Sequence, residues 1–256
     1  MSATSSRTAL TDGIRFAFGT LTVLPVTVTR WDRDAARAGM VCAPLAGLAV
    51  GVAAAALGGA LALLGAGALL AAVASVAAGA VLTRGLHLDG LADVADGLGS
   101  GKPAARALDI MKQSDIGPFG VVTLVLTLLA QIAALAQLYA DSWIHGAVAA
   151  AASAVTARLA LTLASRTGVP AARPEGLGAA VAETVPPKAA LLTGAVITAL
   201  AALLSPGAAL GVVLGCAAAE VLLRRCVRRF GGVTGDVFGA VAETAATAAL
   251  LTLTLT

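Results

Sequence analysis

The sequence predicts an all-α, polytopic integral membrane protein with about seven transmembrane helices and an N-terminal interfacial helix. Three observations carry that prediction. Hydrophobic residues make up 59% of the 256-residue chain and charged residues only 12%, too little charge to cover a soluble domain of this size. Apolar runs of spanning length, roughly 20 residues, recur along the chain. Lys and Arg collect in alternate connections between those runs. An Ala-rich soluble helical protein is the competing class, and the run from Val41 to Thr83, which contains no charged residue, excludes it.

The elements follow in order. The start, "MSATSSRTALTDGIRF", is polar and has no basic region feeding an apolar core, so no cleavable signal peptide is expected. "IRFAFGTLTVLPV", Ile14 to Val26, is too short and interrupted to span and reads as an amphipathic or re-entrant piece at the interface. Val41–Leu64 and Ala66–Thr83 give the first two spans, joined by a tight turn at Gly65. Phe119–Ala140 and Trp143–Leu163 give the third and fourth, and Lys188–Leu204 a short fifth. After the Ser205-Pro206-Gly207 turn come Ala208–Leu223 and Val237–Thr256. The three cysteines, Cys42, Cys216 and Cys226, have no metal spacing, and an odd count argues against a disulfide framework.

Arg7, Arg15, Arg30, Arg33 and Arg37 precede the first span. Arg84, Lys102, Arg106 and Lys112 follow the second, Arg166, Arg173 and Lys188 the fourth, and Arg224, Arg225, Arg228 and Arg229 the sixth. The other connections, Gly65, Ala140–Ser142 and Ser205–Gly207, hold no Lys or Arg. The positive-inside rule then predicts a cytoplasmic N-terminus, seven crossings and an external C-terminus. The acids follow the same side: only Asp141 sits in an outer turn, and Glu220 and Glu243 are expected near the cytoplasmic ends of their spans. Chemistry is therefore expected at the cytoplasmic face.

"LHLDGLADVADG", Leu86 to Gly97, concentrates acid in a chain that otherwise avoids it. On a helix Asp89, Asp93 and Asp96 stand at i, i+4 and i+7, within about 60° of one another. Such a column repels itself. A hard divalent cation compensates it economically, since Mg²⁺ takes one or two carboxylates plus substrate phosphates and water. A solvated acidic face, or a helix capped by Asp89, is the plainer alternative. His87 beside the motif is a candidate general base, phosphate ligand or anchor, but a poor Mg²⁺ ligand.

The other loops on this side add to the pattern. "ALDIMKQSDIGPFG" offers Lys112 and Ser114 ahead of glycines that open amides at a helix start. "SRTGVPAARPEGLG" offers Arg173, suited to phosphate. Arg158 lies inside the fourth span, where a charge is costly and faces a cavity or partner. In "GGVTGDVFGAVAE", Thr234 and Asp236 open a helix, and Asp236 and Glu243 share a face. Aspartates, arginines and glycine-rich helix starts on one side point to metal-assisted phosphoryl chemistry. Residue chemistry alone does not name a substrate.

"HLDGLADVADGL", "IMKQSDIGPFG", "ARPEGLG" and "GGVTGDVFGA", with the early "FGTLTVLPV", together resemble the cobalamin synthase family, the adenosylcobinamide-GDP ribazoletransferases. The resemblance runs in order over nearly the whole chain and implies one membrane-embedded domain, residues 1–256, in the bacterial cytoplasmic (inner) membrane. It implies adenosylcobinamide-GDP and α-ribazole, or its 5′-phosphate, as substrates, Mg²⁺ as cofactor, GMP as leaving group, the lipid bilayer as surroundings and no nucleic acid partner. A homo-oligomer or a complex with other cobalamin-assembly enzymes stays open. Carried over, Asp89, Asp93 and Asp96 match the family's acidic motif as catalytic and metal residues, and Asp236 matches the TGD aspartate as a metal ligand. His87 matches the histidine before the motif. Lys112, Ser114, Arg158, Arg173 and Thr234 are candidate phosphate contacts. Gln113 and Asp115 depart from the Asp and basic residue the family often carries there.

Two other classes compete. A CDP-alcohol phosphotransferase would carry D-x2-D-G-x2-A-R and a later G-x3-D-x3-D, which this chain lacks. A transporter would place acids at mid-membrane, whereas here they gather at one side.

Overall fold

The structure is a computed structural model that describes residues 3–256, with side chains from residue 9 onward. It is all-α: eleven helices and no strand among the described residues. In order they are α1 (Ala3–Leu21), α2 (Arg33–Leu63), α3 (Ala68–Leu82), α4 (Leu86–Gly99), α5 (Ala104–Ile110), α6 (Pro118–Asp141), α7 (Trp143–Ala164), α8 (Gly176–Val181), α9 (Pro187–Leu204), α10 (Pro206–Phe230) and α11 (Gly235–Leu253). Six of them, α2, α6, α7, α9, α10 and α11, are long and apolar enough to cross a membrane. A seventh crossing needs α3.

That second crossing is the shortest of the seven. The expected span Ala66–Thr83 contains only the 15 residues of α3, and the chain then bends by 88° into α4. The bend has a local cause. Arg84 and Gly85 both take the left-handed conformation, with φ of 58° and 67°, which a continuing helix does not tolerate. With α3 as the crossing member, α4 runs across one end of the bundle, outside the spanning segments.

The far turns are short because their caps are shared. Ser142 closes α6 and caps α7, accepting from Ile144 N at 3.2 Å. Ser205 does the same between α9 and α10, accepting from Ala208 N at 2.9 Å, and Pro206 supplies a fixed φ at the first helical position. α7 is the most enclosed long helix, packed against α2, α6, α9, α10 and α11. It meets α2 through small residues: a Cβ on Gly47 would stand 2.6 Å from Ala154 O, the kind of close backbone approach that holds helices together where lipid removes the hydrophobic drive. The outward sides are apolar, with Leu191, Val196 and Leu200 of α9 and Val122, Leu126 and Leu129 of α6 exposed.

The alternation brings the N-terminal ends of α2, α6, α9 and α11 and the C-terminal ends of α3, α7 and α10 to one end of the bundle. α1 packs there on α2, burying Phe16 and Ala17. The predicted interfacial segment Ile14–Val26 stops being helical at Leu21, and the irregular stretch after it is tied back to α3 by Val23 N donating to Leu82 O at 2.8 Å.

Candidate active site

α4 is helical over the whole acidic motif. It begins at Leu86 after Gly85, so Asp89 is not its cap; its amide instead donates to Gly85 O at 2.9 Å. The expected column of aspartates exists, but its members have different surroundings. Asp89 is exposed and Asp93 half-buried, whereas Asp96 is buried. Asp96 accepts from Gly117 N at 2.8 Å and from Gly120 N at 3.0 Å, one bond to each oxygen. It thus caps the N-terminus of α6, satisfying amides that would otherwise be unpaired.

The other two aspartates face α11. α4 and α11 touch through glycines: a Cβ on Gly90 would fall 2.6 Å from Asp236 O, and one on Gly239 2.9 Å from His87 O. Thr234 caps α11, accepting from Val237 N at 3.3 Å, and donates its own proton to Asp236 Oδ2 at 3.0 Å. Arg173 arrives from the loop between α7 and α8. A paired backbone segment holds that loop, with Ala172 N donating to Val233 O at 2.9 Å and Val233 N to Pro170 O at 2.8 Å. Arg173 NH1 stands 4.0 Å from Asp236 Oδ2, and NH2 donates to Leu108 O.

Charge at this junction is unbalanced. Burial, then the carboxylates of Asp236, Asp89 and Asp96, push Asp93 up to about 7, against the lowering effect of Arg173. His87 is buried, and burial together with the Arg158 cation holds it well below its ordinary value, hence neutral.

The sequence model of the cobalamin-5-phosphate synthase family matches residues 13–254. The chain belongs to that family. Among similar proteins, an adenosylcobinamide-GDP ribazoletransferase of Nocardioides sp. strain JS614 is 44% identical over 241 residues, covering 94% of this chain and 97% of the relative. One from Frankia casuarinae is 41% identical over 263 residues, 94% of each chain. One from Bradyrhizobium diazoefficiens is 39% identical over 241 residues, 90% of this chain and 88% of the relative. No solved structure matches the chain.

In this member of the cobalamin-5-phosphate synthase family, not every residue singled out in the sequence joins the junction. Arg158 is only 5% exposed and lines an interior chamber of about 80 Å³ with Ser75, Gln131, Ser153 and Glu243, so its guanidinium points into the bundle rather than to the exposed acids. Glu243, expected beside Asp236 at the membrane surface, is instead inside that chamber, accepting from Gln131 Nε2 at 2.8 Å. The seven-residue spacing gives both one face of α11, but about 10 Å of helix rise separates them. Lys112 and Ser114 are exposed in the turn before α6, and among the described residues no hydrogen bond or ion pair joins them to the acids. Thr234 has both hydroxyl functions engaged within its own helix start. The sequence reading did not single out Thr20 and Leu177, which line a cavity of about 220 Å³ beside Asp89 and Asp236. The available signal was their position inside "FGTLTVLPV" and "ARPEGLG", two of the stretches that carry the family resemblance.

The donor set suits a hard cation. Every acid at the junction is an oxygen donor, and Asp93 is raised first by burial and then by the carboxylates of Asp236, Asp89 and Asp96. Among the described residues no three His, Cys, Asp or Glu side chains are grouped closely enough to hold a metal ion. The four aspartates Asp89, Asp93, Asp96 and Asp236 therefore do not form one closed ligand set, and Asp96 is spent on the amides of Gly117 and Gly120.

Proposed function

We propose that this chain is an adenosylcobinamide-GDP ribazoletransferase of the bacterial cytoplasmic membrane, with its site on the cytoplasmic side. A hydroxyl of α-ribazole, or of its 5′-phosphate, attacks the phosphorus that carries the cobinamide. A new P–O bond forms, the bridging P–O bond of the diphosphate breaks, and GMP leaves with that bridging oxygen. The observation that carries this reading is the meeting of Asp89 and Asp93 on α4, Asp236 on α11 and Arg173 from a third segment at one polar end of the bundle.

Two of these acids, Asp93 with Asp236 or Asp89, would hold Mg²⁺, which when bound offsets the negative charge of the diphosphate. Arg173 already lies against Asp236, and its fork suits the non-bridging oxygens of an arriving diphosphate. Asp89, the most exposed of the acids, lies nearest to an incoming ligand. Thr234 fixes the rotamer of Asp236 by hydrogen bonding. The basic connections assign this end to the cytoplasm by the positive-inside rule.

The test is turnover of the purified protein in detergent with adenosylcobinamide-GDP and α-ribazole. GMP release is expected with Mg²⁺ and not with EDTA. Asp89→Asn and Asp93→Asn should each lower kcat by at least about a hundredfold while leaving the protein folded, on the scale of losing preorganised charge stabilisation. Substantial GMP release from both variants at saturating Mg²⁺ would remove the acids from the chemistry.

A further inference from the structure

The acids and Arg173 account for the diphosphate, but two adjoining cavities beside them have no role in that account. One, about 220 Å³, is bordered by Asp89 and Asp236; the other, about 490 Å³, extends it toward Trp31 and Arg84. They share Thr20, Leu86 and Leu177 as lining. The stretches "FGTLTVLPV", "LHLDG", "PEGLG" and "TGDVFG" all meet here, from α1, α4, α8 and α11.

The inner cavity is short of groups that could read a polar base. Its walls include Leu161, Val181 and Phe238. The Thr20 hydroxyl already donates to Phe16 O at 2.6 Å, which leaves the imidazole of His87 as the main free polar group away from the acids. A guanine edge placed there would lose most of its hydrogen bonds to water without replacement, which is costly. The volume lies below the roughly 300–1,000 Å³ of a pocket for a drug-sized ligand, so it suits one ring system rather than a whole nucleotide or a corrin.

We propose that this inner cavity seats the heteroaromatic base of the acceptor nucleoside, with Leu177 as a specificity-determining residue against the base's apolar edge. The inference rests on the transferase reading above. A dimethylbenzimidazole ring has methyl groups that match the leucine, valine and phenylalanine walls, and an unsubstituted ring nitrogen that can accept from His87. With the base so placed, the ribose lies at the mouth beside Asp89 and Asp236, where its hydroxyl meets the diphosphate.

The test uses the purified full chain and a half-exposed residue on the short helix α8. Leu177→Trp, which fills the cavity, should raise KM for α-ribazole by about tenfold or more while KM for adenosylcobinamide-GDP changes less than about twofold. Leu177→Ala, which only removes atoms and guards against misfolding of the larger variant, should raise KM for α-ribazole several-fold. It should affect the unmethylated benzimidazole riboside less. Equilibrium dialysis of α-ribazole alone should show the same weakening in Leu177→Trp without any turnover. Unchanged α-ribazole KM and binding in both variants, or a rise in the KM for adenosylcobinamide-GDP instead, overturns the assignment. Wild-type protein that binds α-ribazole in the Leu177-dependent way but releases no GMP would overturn the transferase reading and leave the cavity assignment standing.

Discussion

Asp93 and Asp96 lie three residues apart on α4, and their neighbours give them opposite tasks. Asp93 is partly desolvated and then crowded by carboxylates, so its negative charge is held at a cost that a cation would relieve. The negative charge of Asp96 is stabilised by the two amides of Gly117 and Gly120 and by the positive end of α6. Removing it should therefore act on folding before chemistry. Asp96→Ala is expected to cost about 1–2 kcal/mol of stability, the usual cost of a lost cap, and to lower kcat far less than Asp89→Asn does. Thermal unfolding in detergent set beside GMP release at saturating substrate measures both. A kcat loss equal to that of Asp89→Asn with unchanged melting would place Asp96 among the metal ligands instead. The i, i+4, i+7 column was legible in the sequence because helix periodicity is local. The division of labour within it was not, because the partners of Asp96 are 21 and 24 residues further along the chain. The same holds for Thr234: its Gly-Asp neighbours suggest a helix start, but only the folded helix shows its hydroxyl spent on Asp236.

At the level of elements, the site depends on how closely α4 approaches α11. Gly90 is the contact point, and the atoms a side chain would strike there are the backbone of Asp236 rather than a flexible tip. Gly90→Ala must push α4 away from the aspartate that faces it. Misplacement of about 1 Å can cost a hundredfold in rate, so kcat/KM is expected to fall by about ten- to a hundredfold in a protein that still inserts and folds. Gly79→Ala is the matched control: Gly79 is also helical, and a Cβ there meets nothing within 4 Å. That change should leave the rate alone and favour the helix slightly. Equal losses in the two variants, read from steady-state kinetics, would deny that α4–α11 spacing governs the site. Elements of ordinary length were readable from hydropathy, including the turns at Ser142 and Ser205. The boundary between the span ending at Thr83 and the acidic helix was readable too, but the 88° angle between α3 and α4 was not, since the left-handed conformation of Arg84 is set only in the folded chain.

Across the whole molecule, polarity is distributed in three zones. The outer surface is apolar, the basic and acidic connections gather at one end, and a small polar chamber ties α6, α7 and α11 together inside. In the chamber Gln131 bridges Glu243 and Thr247, and Arg158 faces the same space with its Nε unpartnered by protein. Glu243 lines the same chamber and supplies the opposite charge, which offsets part of the cost of burying the Arg158 guanidinium. This distribution makes the orientation of the chain testable as a unit. The charged end carries Lys102 and Glu175, both exposed, and the opposite end carries Gly67 and Asp141, also exposed. In a background in which Cys42, Cys216 and Cys226 are replaced by Ala, Lys102→Cys and Glu175→Cys should react with a membrane-impermeant maleimide only in inverted vesicles. Gly67→Cys and Asp141→Cys should react only in intact spheroplasts. The positive-inside rule sets that direction, and the alternation of α2, α3, α6, α7, α9, α10 and α11 requires the two pairs to differ whatever the direction. Labelling of Gly67→Cys from the same side as Lys102→Cys and Glu175→Cys, with Asp141→Cys alone on the other side, would mean that α3 does not cross. Inverted labelling of both pairs would keep seven crossings but place the acidic junction on the external side, against the proposed orientation.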